Sequence, residues 1–222
     1  SISKGDRYVV IGDGAHPSAY LNPSSVEGQL KIFDVTACDA NTDADEDPLV
    51  CALDGSYDLE RGAMLGAPAI MADGTVILWE MGLAFDAAPT DADVVAVRKD
   101  GVLWSTALPD NMDWSSVITV TRNHVIGSAS RVEVSQQGMP GFKLPVHTTD
   151  RLVVLDRETG ALTWYADLPD DCAATVTVGP DGSLYVPMMG LFSILAIEDR
   201  PTLGVLRFKP DYSNTVAPPP AL

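Results

Sequence analysis

The segment Cys38–Cys51, C-D-A-N-T-D-A-D-E-D-P-L-V-C, gathers oxygen donors at regular spacing: Asp39, Asn41, Asp43, Asp45 and Asp47 fall at alternate positions. Calcium takes about six to eight oxygens from carboxylates, amides and backbone carbonyls, and a tightly wound Asp/Asn loop can supply them. These five side chains are the candidate metal ligands. An acidic, solvated insertion loop is the competing reading of the same residues. The flanking cysteines could close the loop as a disulfide, which would remove about 3 kcal/mol of unfolded-chain entropy. Such a bond implies an oxidising compartment, so the expectation is a bacterial periplasmic or extracellular protein. Two separate buried thiols are the alternative. Cys172 follows Asp170 and Asp171, carboxylates that would raise its pKa and make it a poor nucleophile.

The acidic segment resembles the D-x-N-x-D-x-D calcium loops of EF-hand and thrombospondin-like repeats. It departs from them at Glu46, where an EF-hand has its turn Gly, and at Val50, where it has its bidentate Glu. Other chemistry is sparse. His16, His124 and His147 are scattered without zinc spacing. The chain holds no G-x-S-x-G elbow and no Gly-rich phosphate loop.

Charge narrows the partners. Asp and Glu number 31 against 14 Lys and Arg, a formal net charge of −17. That surplus argues against nucleic acid, whose phosphates need clustered cations, and against an anionic membrane surface. No apolar run reaches the roughly 18–20 residues of a membrane helix, so direct membrane insertion is not expected. At 46 % apolar and 20 % charged residues, the 222-residue chain has the composition of a folded domain.

The elements that would position any site come as a repeat. Residues 154–164 read V-L-D-R-E-T-G-A-L-T-W: an apolar strand, an Asp, a polar turn with Gly160, then a strand carrying Trp164. Asp93–Trp104 repeats this with Gly101 and Trp104. Ser193–Phe208 is read the same way, with Glu198 in the Asp place, Gly204 at the turn and Phe208 in the Trp place. Gln29–Thr36 supplies the strand and Asp34, followed by the acidic insertion. A second hairpin precedes each of the last three: Ala67–Leu78 and Ala174–Val186 turn at Asp-Gly, and Ser116–Gly127 turns at Arg122-Asn123. Each unit is therefore four short strands, and the chain reads as all-β.

The unit resembles the repeat of PQQ-like (quinoprotein-type) β-propellers, with Val154 in place of that family's Ala and Asp156, Thr159, Gly160 and Trp164 matching. The resemblance covers most of residues 7–210 and implies four-stranded antiparallel blades, with Trp79, Trp104 and Trp164 packing between them. About four blades are visible, and Arg7–Ile11 aligns with a second strand. The expectation is part of a larger propeller, with residues 211–222 as a Pro-rich extended tail.

Quinoprotein dehydrogenases of this type use a calcium-bound quinone, a carboxylate base and often adjacent cysteines. No Cys-Cys pair occurs here and the acidic segment is an insertion, so PQQ is not expected, and an enzyme of that type stands as the alternative function. The favoured expectation is a non-catalytic protein-binding or scaffold module, grading into a subunit of a larger envelope complex. Its partner surface would be built by two long links, Gly12–Gly28 and Glu133–Thr149, which join second to third strands and fall on one propeller face. Such links tend to be functional when longer than about twelve residues. Tyr20, Met139 and Phe142 within them suit protein contact, and Trp114 is a further aromatic outside the strand pattern.

Overall fold

The computed structural model describes residues 8–13, 28–40, 49–59, 63–64, 67–81, 93–108, 112, 114–139, 142–172, 174–190 and 202–209. All the regular elements among them are strands, arranged as four successive antiparallel meanders. The first sheet holds β1 (Tyr8–Asp13), β2 (Gln29–Ala40) and β3 (Leu49–Asp58). The second holds β4 (Ala63–Met64), β5 (Ala69–Ile70), β6 (Val76–Met81), β7 (Asp93–Arg98) and β8 (Gly101–Ala107). The third holds β9 (Trp114–Ser115), β10 (Thr119–Val120), β11 (His124–Met139), β12 (Phe142–Asp156) and β13 (Leu162–Leu168). The fourth holds β14 (Thr177–Val178), β15 (Leu184–Met188) and β16 (Gly204–Phe208).

The short pieces β4 and β5 both pair with β6, and β9 and β10 both pair with β11. Each couple acts as one interrupted first strand, so the two middle sheets are four-stranded blades. β1 pairs directly with β2 and lies in the second-strand place, as the sequence of Arg7–Ile11 leads one to expect.

Side chains alternate across each strand, and the two faces are packed by different neighbours. In the second sheet Val76, Leu78, Val95 and Val97 pack with Leu30 and Ile32 of the first. Ile77, Trp79, Val94 and Ala96 turn the other way, onto Val125, Ala129, Val153 and Leu155 of the third. The third sheet then gives Ile126, Leu152 and Val154 to Val176, Val186 and Met188 beside the fourth. The sheets thus stack face to face in chain order, the arrangement of propeller blades. Among the described residues, no strand pairing and no hydrophobic cluster joins the first sheet to the fourth.

Two expectations change. β16 pairs directly with β15, Met188 opposite Gly204 and Leu184 opposite Phe208. Gly204–Phe208 is therefore a third strand, and neither a hairpin turn at Gly204 nor Phe208 in the Trp place survives. Residues 193–198, read as its leading strand, lie outside the described residues. The second change is at Glu133–Thr149, which is not an irregular link. β11 and β12 remain paired out to Met139 opposite Phe142, with register breaks around Val134 that accommodate Pro145.

Candidate functional site

Four local constructions organise the ends of the sheets. The first is the Asp-Gly turn. Gly74 and Gly182 have φ of 83° and 78°, values a β-carbon would disfavour. Asp73 Oδ1 accepts the Thr75 N–H at 3.0 Å, and Asp181 Oδ1 accepts the Ser183 N–H at 3.0 Å. An arginine from the third strand of the same sheet then closes each turn. Arg98 Nη2 donates to Asp73 Oδ2 at 2.7 Å and to Thr75 Oγ1 at 2.8 Å. Arg207 Nη2 donates to Asp181 Oδ2 at 2.7 Å and to Ser183 Oγ at 3.1 Å. Burial raises the Asp73 carboxyl, but the Thr75 hydrogen bonds and the Arg98 charge outweigh it and hold the pKa below its ordinary value. Asp181 is lowered by its Ser183 hydrogen bonds and by Arg207. The third sheet is built differently: Arg122 and His124 flank the turn, and Asp156 faces His124 in the register. The Asp-Gly pairs were legible in the sequence. The arginines were not, because each lies far along the chain from its turn.

The second construction is the β12–β13 turn. Asp156 Oδ1 accepts from the Glu158 and Thr159 backbone N–H groups at 3.0 and 2.9 Å and from the Thr159 hydroxyl at 2.8 Å. Thr159 is the main reason the Asp156 carboxyl is held below the ordinary range. Across the sheet boundary, Trp104 donates its indole N–H to the Arg157 carbonyl at 3.0 Å, and Thr106 donates its hydroxyl to the Gly160 carbonyl at 2.8 Å. Trp164 meets Phe208 edge-on at 5.8 Å, and Trp79 packs against Gly127. Trp79, Trp104 and Trp164 are packing residues between sheets, as expected from their strand positions.

The third construction is the acidic ribbon. β2 and β3 continue past the sheet, pairing Cys38 with Cys51, Asp39 with Val50 and Ala40 with Leu49. The two cysteines are direct cross-strand neighbours, a placement that brings Cα atoms to about 4.5–5.5 Å and lies inside the range a disulfide spans. Of the candidate ligands, Asp39 lies on β2, and Asn41, Asp43, Asp45 and Asp47 lie outside the described residues. Among the described residues no three His, Cys, Asp or Glu side chains are grouped to hold a metal.

The fourth construction sits at the opposite end of the sheets, where second strands pass to third. The β11–β12 pair outruns its neighbours there. β13 stops at Leu168 opposite Asp150, and β9 pairs no further than Trp114 opposite Ser130. Residues 131–149 therefore form a two-stranded ribbon beyond the sheet. The β1–β2 link emerges at the same end, after Asp13 opposite Gln29. Residues 14–27 of that link, with His16 and Tyr20, lie outside the described residues.

Below this end lies a buried polar layer that the sequence did not announce: Glu80, Asp150, Asp170 and Asp171 are each at most 3 % exposed. Asp170 accepts the Thr202 and Asp171 backbone N–H groups, while Ser128 donates to the Cys172 carbonyl at 2.8 Å and Met189 N–H to the Asp171 carbonyl at 3.0 Å. These bonds tie the 168–176 connection between the third and fourth sheets. Cys172 is buried, and burial, helped by the Asp171 charge, raises its thiol. Of these carboxylates, Asp170 pins the connection through its two backbone N–H partners. His124 and His147 stand at opposite ends of the third sheet, opposite Asp156 and Glu133.

No family model matches the chain, and no curated protein matches it. Among solved structures it is similar to a europium-containing methanol dehydrogenase, at 13 % identity and a TM-score of 0.44. The match covers 72 % of this chain and 23 % of that one, so the chain spans about a quarter of that protein's length.

Proposed function

We propose that the chain is a non-catalytic, protein-binding module of quinoprotein-type repeats, acting outside the cytoplasm, with its partner surface at the end carrying the β1–β2 link and the β11–β12 ribbon. One observation carries this reading: the ribbon of residues 131–149 extends past every other strand of its sheet. A two-stranded ribbon beyond a packed sheet gains little from the core beneath it and presents backbone edges to a partner. The acidic ribbon at the opposite end would act as a closed calcium loop between Cys38 and Cys51. The enzyme alternative rests on the repeat resemblance alone, since no described cluster of side chains supports it.

The test is to replace residues 133–147 with a two-residue Asn-Gly turn joining Val132 to Thr148, which are already cross-strand neighbours. Tagged wild-type and shortened chains would be used to capture partners from an envelope extract, with circular dichroism as the fold control. A protein retained by the wild type and lost by the folded, shortened chain supports the reading. Equal recovery counts against this surface. Reduction of a dye by the chain loaded with PQQ and an alcohol would favour the enzyme.

A further inference from the structure

Five Asp-Gly steps occur in the chain: Asp13-Gly14, Asp54-Gly55, Asp73-Gly74, Asp100-Gly101 and Asp181-Gly182. Such a step carries its own chemistry. Glycine has no β-carbon to shield its backbone nitrogen, so that nitrogen can approach and attack the carboxyl of the aspartate before it. Folding decides which step reacts, by holding or freeing the two groups.

Asp73 and Asp181 are held at both groups. The Asp73 carboxylate accepts from the Thr75 N–H at 3.0 Å and from Arg98 Nη2 at 2.7 Å. The Asp181 carboxylate accepts from the Ser183 N–H at 3.0 Å, the Ser183 hydroxyl at 2.9 Å and Arg207 Nη2 at 2.7 Å. The nitrogens are engaged too. Gly74 N–H donates to the Met71 carbonyl at 3.0 Å, and Gly182 N–H to the Gly179 carbonyl at 2.9 Å. Exposure is not what protects these carboxylates, since their side chains are 57 and 55 % exposed. Asp54-Gly55 lies within β3, with Gly55 opposite Ile32 in a paired strand whose extended backbone resists ring closure. Gly14 lies outside the described residues.

Asp100-Gly101 is built differently. Lys99 and Asp100 form the two-residue turn between Arg98 and Gly101, the last pair of β7 and β8. Asp100 is exposed, and among the described residues no hydrogen bond or ion pair holds its carboxylate. The longer β12–β13 turn is capped by Asp156, and this turn has no such cap. Gly101 has a φ of 126°, and a β-carbon there would meet nothing within 4 Å. The pair also ends its ladder, where backbone bonds open most readily.

We propose that Asp100-Gly101 is a self-modification site, where aspartate converts to isoaspartate through a cyclic imide. The Gly101 nitrogen bonds to Asp100 Cγ, and the amide proton leaves with the carboxyl hydroxyl as water. Water then opens the ring. Attack at Cγ restores aspartate, and attack at the Asp100 main-chain carbonyl gives isoaspartate, which lengthens the turn by one backbone carbon. The turn lies on a sheet boundary: a β-carbon on Gly55 of the first sheet would fall 2.8 Å from Lys99 Cα. The site is independent of the proposed partner surface.

The intact chain would be aged in neutral buffer, folded and in urea. Isoaspartate would be located by fragment mass spectrometry and by resistance to an endoproteinase that cuts before aspartate only. In the folded chain Asp100 should convert at least about tenfold faster than Asp73 or Asp181, the scale of one charge-assisted hydrogen bond that must break first. In urea the three steps should react at similar rates. Asp100→Glu should fold and lose the product, because glutamate closes its larger ring slowly. Folded-state conversion of Asp73 or Asp181 as fast as that of Asp100, or reaction at Asp100 only after unfolding, would overturn the proposal.

Discussion

Trp104 of β8 reaches across a sheet boundary to donate its indole N–H to the carbonyl of Arg157, 3.0 Å away in the turn of the next sheet. The same ring lies against Gly160, where an added β-carbon would fall 2.5 Å from Trp104 Cε3, at a φ of +73°. With the Thr106 hydroxyl bonded to the Gly160 carbonyl beside it, this contact fits the turn closely against the neighbouring blade.

Substituting Gly160→Ala should be costly for two separate reasons, the left-handed backbone and the clash with a rigid ring. A loss of about 2–4 kcal/mol is expected, read as a Tm drop of roughly 5–15 °C. Trp104→Phe keeps most of the ring but strands the Arg157 carbonyl, for a smaller loss of about 1–2 kcal/mol. Equal melting of Gly160→Ala and wild type would show that the boundary does not hold the fold.

The turn carboxylates predict an acid dependence. Asp73, Asp156 and Asp181 are all held below the ordinary carboxylate value in the fold. A depressed folded pKa contributes stability above the unfolded value of about 3.9, and that contribution is lost as pH falls through the folded value. The Tm gap between wild type and Asp181→Asn should therefore be full near neutral pH and shrink as pH drops below about 4. A gap that does not change across that window would mean the Arg207 closure contributes through packing alone.

Cys38 and Cys51, opposite each other across β2 and β3, are predicted to be bonded in protein made in an oxidising compartment. Mass spectrometry of the chain alkylated in denaturant without reduction should then find one modifiable cysteine of three. Calcium should raise the Tm and a chelator lower it, provided the Asp39–Asp47 carboxylates act together. Three alkylated cysteines would remove the disulfide, and absence of any calcium response would leave a solvated acidic loop.

Cys172 should react slowly with thiol reagents in the folded state. Its thiol is buried and its pKa is raised, first by that burial. Thiolate chemistry is doubly suppressed. Labelling should become fast only in denaturant, and rapid native labelling would mean that the 168–176 connection opens readily.

The sequence alone determined the blade. Alternating apolar residues, Asp73-Gly74 and Asp181-Gly182, and the Asp156, Thr159, Gly160, Trp164 set are local signals, because strand faces and tight turns are decided within a few residues. Those signals also put Trp79, Trp104 and Trp164 on strands that meet between sheets. Only the tertiary structure decided which strand Gly204–Phe208 is. An apolar run with an Arg suits a third or a fourth strand equally, and the choice rests on pairing with β15 and on Arg207 reaching back to Asp181. The ribbon of 131–149 was read as a loop because Pro, Gly and polar residues dominate it, yet cross-strand pairing with its own partner overrides those local preferences. The buried layer of Glu80, Asp150, Asp170 and Asp171 was invisible for the same reason. A carboxylate is polar in any sequence window, and whether it is buried depends on which sheets close over it.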